Sequence, residues 1–252
     1  MTVVDLQMSN EHTNTHRKTA IIVGVLFIIG TVAATLSIVF TEPLLSEPDY
    51  LMKISAHESH IIIGALFVLI MGLALALVPV MMFPVLKTHH EPLALGYVVF
   101  RGGLETVTYI MNVISLLLLI PLSQEYVQAG VPDASNFIAL GRLLLETDFQ
   151  INPILKIVFS LGALMLYSVL YQSQLIPRWL SGWGFIGAAL HLIAGVFVMF
   201  GWFTDIPTLG ILWDLPIAVQ EMVMAVWLIV KGFNSPAIAS GTATTDKNEE
   251  LM

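Results

Sequence analysis

Long apolar runs set the pattern of this chain. The first extends from Thr19 to Phe40, and five more follow at His60–Leu86, Gly96–Leu122, Pro153–Tyr171, Leu180–Phe200 and Leu209–Val230. Each holds about twenty residues or more, enough at 1.5 Å per residue to cross roughly 30 Å of hydrocarbon. A bilayer core offers no water to unpaired amides, so runs of this kind are helices. None alternates with the two-residue period of a membrane β-barrel. The pattern therefore predicts an all-α, polytopic integral membrane protein, a six-transmembrane-helix bundle over about residues 17–233. The first run is too long for a signal-peptide core and lacks a small-x-small site after it, so it is predicted to be retained.

The stretches between the runs differ in character. Met1–His16 and the tail from Asn234 to Met252 are polar and are predicted to lie disordered on the cytoplasmic side. Glu42-Pro43 and Glu47-Pro48 disfavour helix within Thr41–Ser59. In Asp133–Asp148 the residues Phe137, Leu140, Leu144 and Leu145 recur at helical spacing among Arg142, Glu146 and Asp148. That spacing predicts a short amphipathic helix lying on the outer surface between spans three and four. Pro79 and Pro84 predict a kink or an early stop near the end of span two.

Charge gives the bundle a direction. Arg17, Lys18, Lys87, Arg178, Lys231 and Lys247 flank one side of the spans, while the other carries only Lys53 and Arg142 among nine acids. The positive-inside bias puts both termini in the cytoplasm. Trp179, Trp183, Trp202 and Trp213 sit near span ends, where amphipathic rings prefer the interface.

Composition agrees, with 57% hydrophobic and 11% charged residues; a soluble domain carries about 25% charged residues. A net charge of −8 with scattered basic residues excludes a nucleic-acid partner. With no cysteine, thiolate metal sites, c-type haem attachment and a cysteine nucleophile are excluded.

Candidate chemistry lies in polar groups placed in the wrong solvent. A charge near the bilayer centre costs a few kcal/mol or more, so Arg101, Glu105, His191, Asp214 and Glu221 are expected to face the bundle interior. Lys156 is a weaker addition, near enough to the outer boundary to snorkel. Arg101, Glu105, Thr108, Asn112 and Ser115 advance by fours and threes, which puts them on one face of span three. Gly102 and Gly103 admit a close neighbour there. Gly187 and Gly195 flank His191 at four-residue steps, and Pro216 separates Asp214 from Glu221 and predicts a kink or a freed carbonyl. Two readings stay open. Arg101, Glu105, Asn112, His191, Asp214 and Glu221 converge on one ligand or proton site, or the ions are structural pairs between spans.

His57, Glu58 and His60 fall within one helical turn and form a candidate divalent-metal site, with Asp214 or Asp49 as possible additional ligands. His89-His90-Glu91 reads as a solvated turn. The chain contains no His-Glu-x-x-His, Gly-x-Ser-x-Gly or phosphate-loop motif, and no cofactor is predicted.

Three stretches resemble a known family. An Arg17-Lys18 pair leads into a first span containing Gly24-Val25-Leu26-Phe27-Ile28-Ile29-Gly30, and span three contains Phe100-Arg101-Gly102-Gly103-Leu104-Glu105. The last third reads Leu175-Ile176-Pro177-Arg178-Trp179-Leu180-Ser181-Gly182-Trp183-Gly184, with Glu221 before Leu228-Ile229-Val230-Lys231-Gly232. Over about residues 17 to 233 the chain resembles the bacterial membrane proteins grouped as domain of unknown function 4386, DUF4386. The resemblance implies a multi-span helical protein of a bacterial cytoplasmic membrane and carries no activity. Three function classes stay open: a non-catalytic accessory or sensor protein, a small-solute or proton-coupled transporter, and an intramembrane enzyme acting on a lipid-like substrate. The partners expected are the lipid bilayer, with a small ligand in the polar core and a homo-oligomer both left open.

Overall fold

The computed structural model describes residues 3–129, 134–202 and 207–238 of the chain, with side chains from Thr15 onward except at 134, 148 and 207–211. Asp133, Asp205 and the tail beyond Ile238 lie outside the described residues. Among the described residues seven α-helices are assigned in order: α1 (Val3–Leu45), α2 (Tyr50–Ala56), α3 (Glu58–Tyr97), α4 (Glu105–Ala129), α5 (Ala134–Ser173), α6 (Arg178–Met199) and α7 (Pro207–Val230). A π-helical segment, Val98–Leu104, joins α3 to α4. No strand occurs among the described residues.

Among the described residues, five helical runs are long and apolar enough to cross a membrane: Thr15–Leu45, Glu58–Ala129, Ser135–Ser173, Arg178–Met199 and Leu212–Val230. The second run folds back on itself. Gly102 packs on Ala76 and Pro79, Gly72 packs on Tyr109, and Glu58 accepts a hydrogen bond from Gln124 at 2.6 Å, so its two limbs are antiparallel. Large apolar side chains such as Ile38, Leu66, Val107, Ile186 and Val226 stay exposed on the outer faces, as a lipid-facing surface requires.

Four expectations are corrected. The backbone of α1 is helical from Val3, so residues 3–16 join the first helix, and it continues through Pro43. The Pro at 43 costs one backbone hydrogen bond, less than opening a whole turn at the membrane edge. For the same reason α3 runs through Pro79 and Pro84 and turns instead at His90, whose φ is −159° and ψ 87°. There the His90 ring accepts the Leu93 amide at 3.3 Å and acts as a helix cap, while Pro92 has no amide to lose.

Over its described residues, 134–148, the amphipathic segment is not a separate helix. It forms the first part of α5, which is continuous to Ser173 through Pro153. Phe137, Leu144 and Leu145 pack against a core of Tyr50, Leu51, Ile54 and Leu119 from α2 and α4. The Ser115 hydroxyl donates to the Leu144 carbonyl at 2.9 Å, and Tyr50 donates to that of Ile138 at 3.4 Å. Of the apolar stripe, Phe137, Leu144 and Leu145 are thus partly covered by protein, while Leu140 stays exposed.

A larger core joins α1, α3, α5, α6 and α7 through Phe27, Met82, Tyr97, Leu166, Leu170 and Met224. Met71 and Tyr109 touch both cores. At one end Arg17 donates to the Leu228 carbonyl at 3.0 Å, to Ile229 at 2.7 Å and to Val230 at 3.2 Å. These carbonyls close the end of α7, where Leu228 also accepts the Gly232 amide and a cation meets the negative pole of the helix dipole.

Candidate functional site

The π-helical segment delivers the first charge. Gly102 and Gly103 weaken the α-helix locally, and the Glu105 amide bonds the Phe100 carbonyl five residues back. Gly102 is where α3 approaches, with Pro79 and Ala76 beside it, whereas Gly103 meets no neighbour. Arg101, on the opposite side, is only 2% exposed and Glu105 is fully buried.

Arg101 faces two carboxylates. Its Nη1 lies 3.1 Å from Glu105 Oε1, and its Nη2 donates to Glu221 Oε1 at 3.1 Å. The Tyr109 hydroxyl donates to the same Glu105 oxygen at 2.7 Å. The guanidinium lies 4.3 Å from the Phe159 ring centroid and 5.9 Å from that of Phe27, so aromatic faces cover the charge. Arg101 Nε and Glu105 Oε2 remain without hydrogen-bond partners. Helices α4 and α7 and the segment before α4 are thereby tied across a dry interior.

A second cluster joins three helices. Lys156 of α5 pairs with Asp214 Oδ2 of α7, and His191 Nδ1 of α6 lies 2.8 Å from Asp214 Oδ1. Lys156 is buried rather than snorkelling, because Asp214 gives it a counter-charge inside the bundle. The glycines around His191 act as expected: a methyl group on Gly187 would stand 3.1 Å from the Ile217 backbone, and one on Gly195 2.9 Å from Lys156. Phe159 separates the two clusters, with its ring 5.1 Å from that of His191.

The six candidate residues therefore do not form one constellation. Arg101, Glu105 and Glu221 make one cluster, and Asp214 and His191 join Lys156 in another. Asn112 belongs to neither. It lines a cavity of about 430 Å³ between α1, α3, α4 and α5, along with Ser37, Thr41, Thr108, Tyr109 and Asn152. Thr108 and Tyr109 both line this cavity and both donate to Glu105, Thr108 to its carbonyl and Tyr109 to its carboxylate, each at 2.7 Å. Pro216 lies within α7, which continues past it.

The metal candidates are not assembled. His57 bonds the Lys53 carbonyl at 3.2 Å, Glu58 takes the Gln124 amide, and His60 packs its ring 5.9 Å from Phe40. Among the described residues no three His, Cys, Asp or Glu side chains are gathered as a metal site requires. Each group instead finds a local partner at the start of α3, where polar residues are well solvated.

Sequence reasoning missed one interior contact. The Tyr167 hydroxyl donates to Gln220 Oε1 at 2.6 Å, and Gln220 Nε2 donates to the Leu180 carbonyl at 3.0 Å, joining α5, α6 and α7. A glutamine next to Glu221 in an apolar run was the available signal.

A family model described as a domain of unknown function, DUF4386, matches residues 22–232. The chain belongs to this family. The matched region of the DUF4386 chain takes in Arg101, Glu105, Lys156, His191, Asp214 and Glu221, so both ion clusters are inside it. No curated protein and no solved structure matches the chain.

Proposed function

We propose that this DUF4386 protein crosses the bacterial cytoplasmic membrane six times, with both termini in the cytoplasm, and serves there as a non-catalytic accessory or sensor-type protein. Six crossings follow if each limb of the antiparallel Glu58–Ala129 hairpin spans the bilayer. The bias of Arg17, Lys87, Arg178 and Lys231 to one side supports the orientation.

One observation carries the non-catalytic reading: the intramembrane charges are spent on one another. Arg101 is shared by Glu105 and Glu221 and covered by Phe159, leaving no approach for a substrate to the guanidinium. Asp214 is likewise engaged by Lys156 and His191. Such clusters fix helix register more than they add stability.

Replacing Arg101, Glu105 and Glu221 together by Leu tests this. A triple variant that folds and complements a deletion strain supports a structural role, and one that folds but fails to complement overturns it. Orientation is tested separately. The chain has no cysteine, so single cysteines at Glu47 and Ser235 report sidedness without background. Labelling of both from the same side of intact cells would sink the six-span topology.

A second reading, a small-solute transporter or receptor, is favoured by the cavity lined by Thr108, Tyr109 and Asn112. There a solute would be read by hydroxyl and amide groups, with Tyr109 linking it to Glu105.

A further inference from the structure

At the end of the bundle where Arg17 caps α7, the loop before α6 meets the chain leaving α7. The Asn234 amide bonds the Leu175 carbonyl at 2.9 Å, and each loop turns through a left-handed backbone, at Gln174 (φ 58°) and Gly232 (φ 75°). Between them lies a cavity of about 360 Å³, whose walls include Arg178, Lys231, Trp227 and Asn234. In a chain with 18 acids and 10 basic residues, this cavity has two cations and no carboxylate in its lining.

Neither cation is spent elsewhere on an acid. Arg178 and Lys231 are exposed and face no carboxylate among the described residues; Arg178 lies 5.8 Å from the Tyr171 ring. Helix α6 begins at Arg178, and its positive pole offsets the negative pole of α7, whose last carbonyls Arg17 already caps, so the two side-chain cations set the sign of the potential here. This electrostatic setting selects an anion, and phosphate chemistry is the form available at a membrane edge.

A second cavity decides what the anion is attached to. An apolar groove of about 460 Å³ runs along α7 past Val219, Val223, Val226 and Val230, and it shares Trp227 and Lys231 with the basic cavity. From Lys231 to Val219 the helix rises about 18 Å, the depth of one bilayer leaflet. Trp179 and Trp227 meet edge to face at 6.4 Å near the junction, as interfacial rings do. A free phosphate would use only the basic end; a lipid would fill both.

We propose that the basic cavity and the α7 groove together bind one anionic phospholipid, its phosphate between Arg178 and Lys231 and one acyl chain along Val219–Val230. The inference rests on the membrane character of the chain and not on its accessory role.

The test uses the purified full chain in mild detergent with equal amounts of phosphatidylglycerol and phosphatidylcholine, and reads bound lipid by native mass spectrometry. One phosphatidylglycerol is retained in preference. Arg178→Gln/Lys231→Gln lowers that preference about tenfold or more, because each cation contributes separately at an anionic surface. Lys231→Glu, at an exposed position, gives the same direction should the double variant misfold. Val226→Trp fills the groove and weakens phosphatidylglycerol retention. Equal retention of the two lipids, or charge variants that bind like the parent, overturns the proposal. So does competition by inorganic phosphate combined with indifference to Val226→Trp, the pattern of a free-phosphate site.

Discussion

The guanidinium of Arg101 lies 4.3 Å from the ring centroid of Phe159, between two groups of ions that the sequence left open as one site or as structural pairs. The His191 ring meets the same phenyl ring edge to face, at 5.1 Å. An aromatic wall keeps Arg101 with Glu105 and Glu221, and leaves Asp214 to Lys156 and His191. The consequences can be measured.

Removing Arg101 alone strands two buried carboxylates. Arg101→Ala is expected to cost about 3–5 kcal/mol, the range for breaking a buried pair from one side. The Arg101→Leu/Glu105→Leu/Glu221→Leu variant recovers most of that loss, since no charge is left without a partner. Thermal unfolding in detergent, followed by the fluorescence of the five tryptophans, reads the difference. A triple variant no more stable than Arg101→Ala contradicts the clamp.

Asp214 is milder. Its side chain is 33% exposed, against 2% for Arg101, so screening discounts its pairing with Lys156. Asp214→Asn is expected to cost about 1–2 kcal/mol, less than the Arg101 substitution. Adding Lys156→Met restores stability. A double variant less stable than Asp214→Asn would show that the Lys156 ammonium has another partner.

Helix approach depends on particular glycines. A Cβ on Gly24 would stand 2.5 Å from the Ala225 carbonyl oxygen, so Gly24→Val forces α1 away from α7 at a cost of about 1–3 kcal/mol. Gly103 has nothing within 4 Å of an added Cβ, and Gly103→Ala is tolerated or slightly stabilising. Equal losses for the two would argue against this packing.

Arg17 should matter more than its position at a span end suggests. Its fork reaches three carbonyls of α7, and Arg17→Ala is expected to lose about 1–2 kcal/mol of thermal stability. Arg17→Lys restores less than half, because an ammonium lacks the planar fork. Hydrogen exchange at the end of α7 would rise in both variants. Unchanged protection there rules the cap out.

Much of the site was legible before any coordinate. The i, i+4 spacing of Arg101 and Glu105 put them on one face, and the structure pairs them. Gly187 and Gly195 announced the close packing around His191. Pairing of Arg101 with Glu105 or Glu221, tying spans three and six, was also among the readings, and Arg101 meets both. What could not be read was the partner of Lys156, which counted as a snorkelling residue until α7 set Asp214 beside it. The π-helical turn was equally hidden, although Gly102-Gly103 was its cause.

The sequence by itself determined the solvent. Apolar runs of about twenty residues with so few charges cannot face water, and inside lipid only helices satisfy their own backbone. It also determined which polar residues had to turn inward, because each is too costly against hydrocarbon. Tertiary structure decided the rest. It set the partners of Arg101, Lys156 and Asp214, the place of Asn112 on a cavity wall and the packing of Phe137, Leu144 and Leu145 against α2 and α4. Helical periodicity fixes the direction of a side chain around its own axis and nothing about the helix it will meet. Those pairings arise only when neighbouring helices pack at a given height and rotation, as Phe159 does between Arg101 and His191.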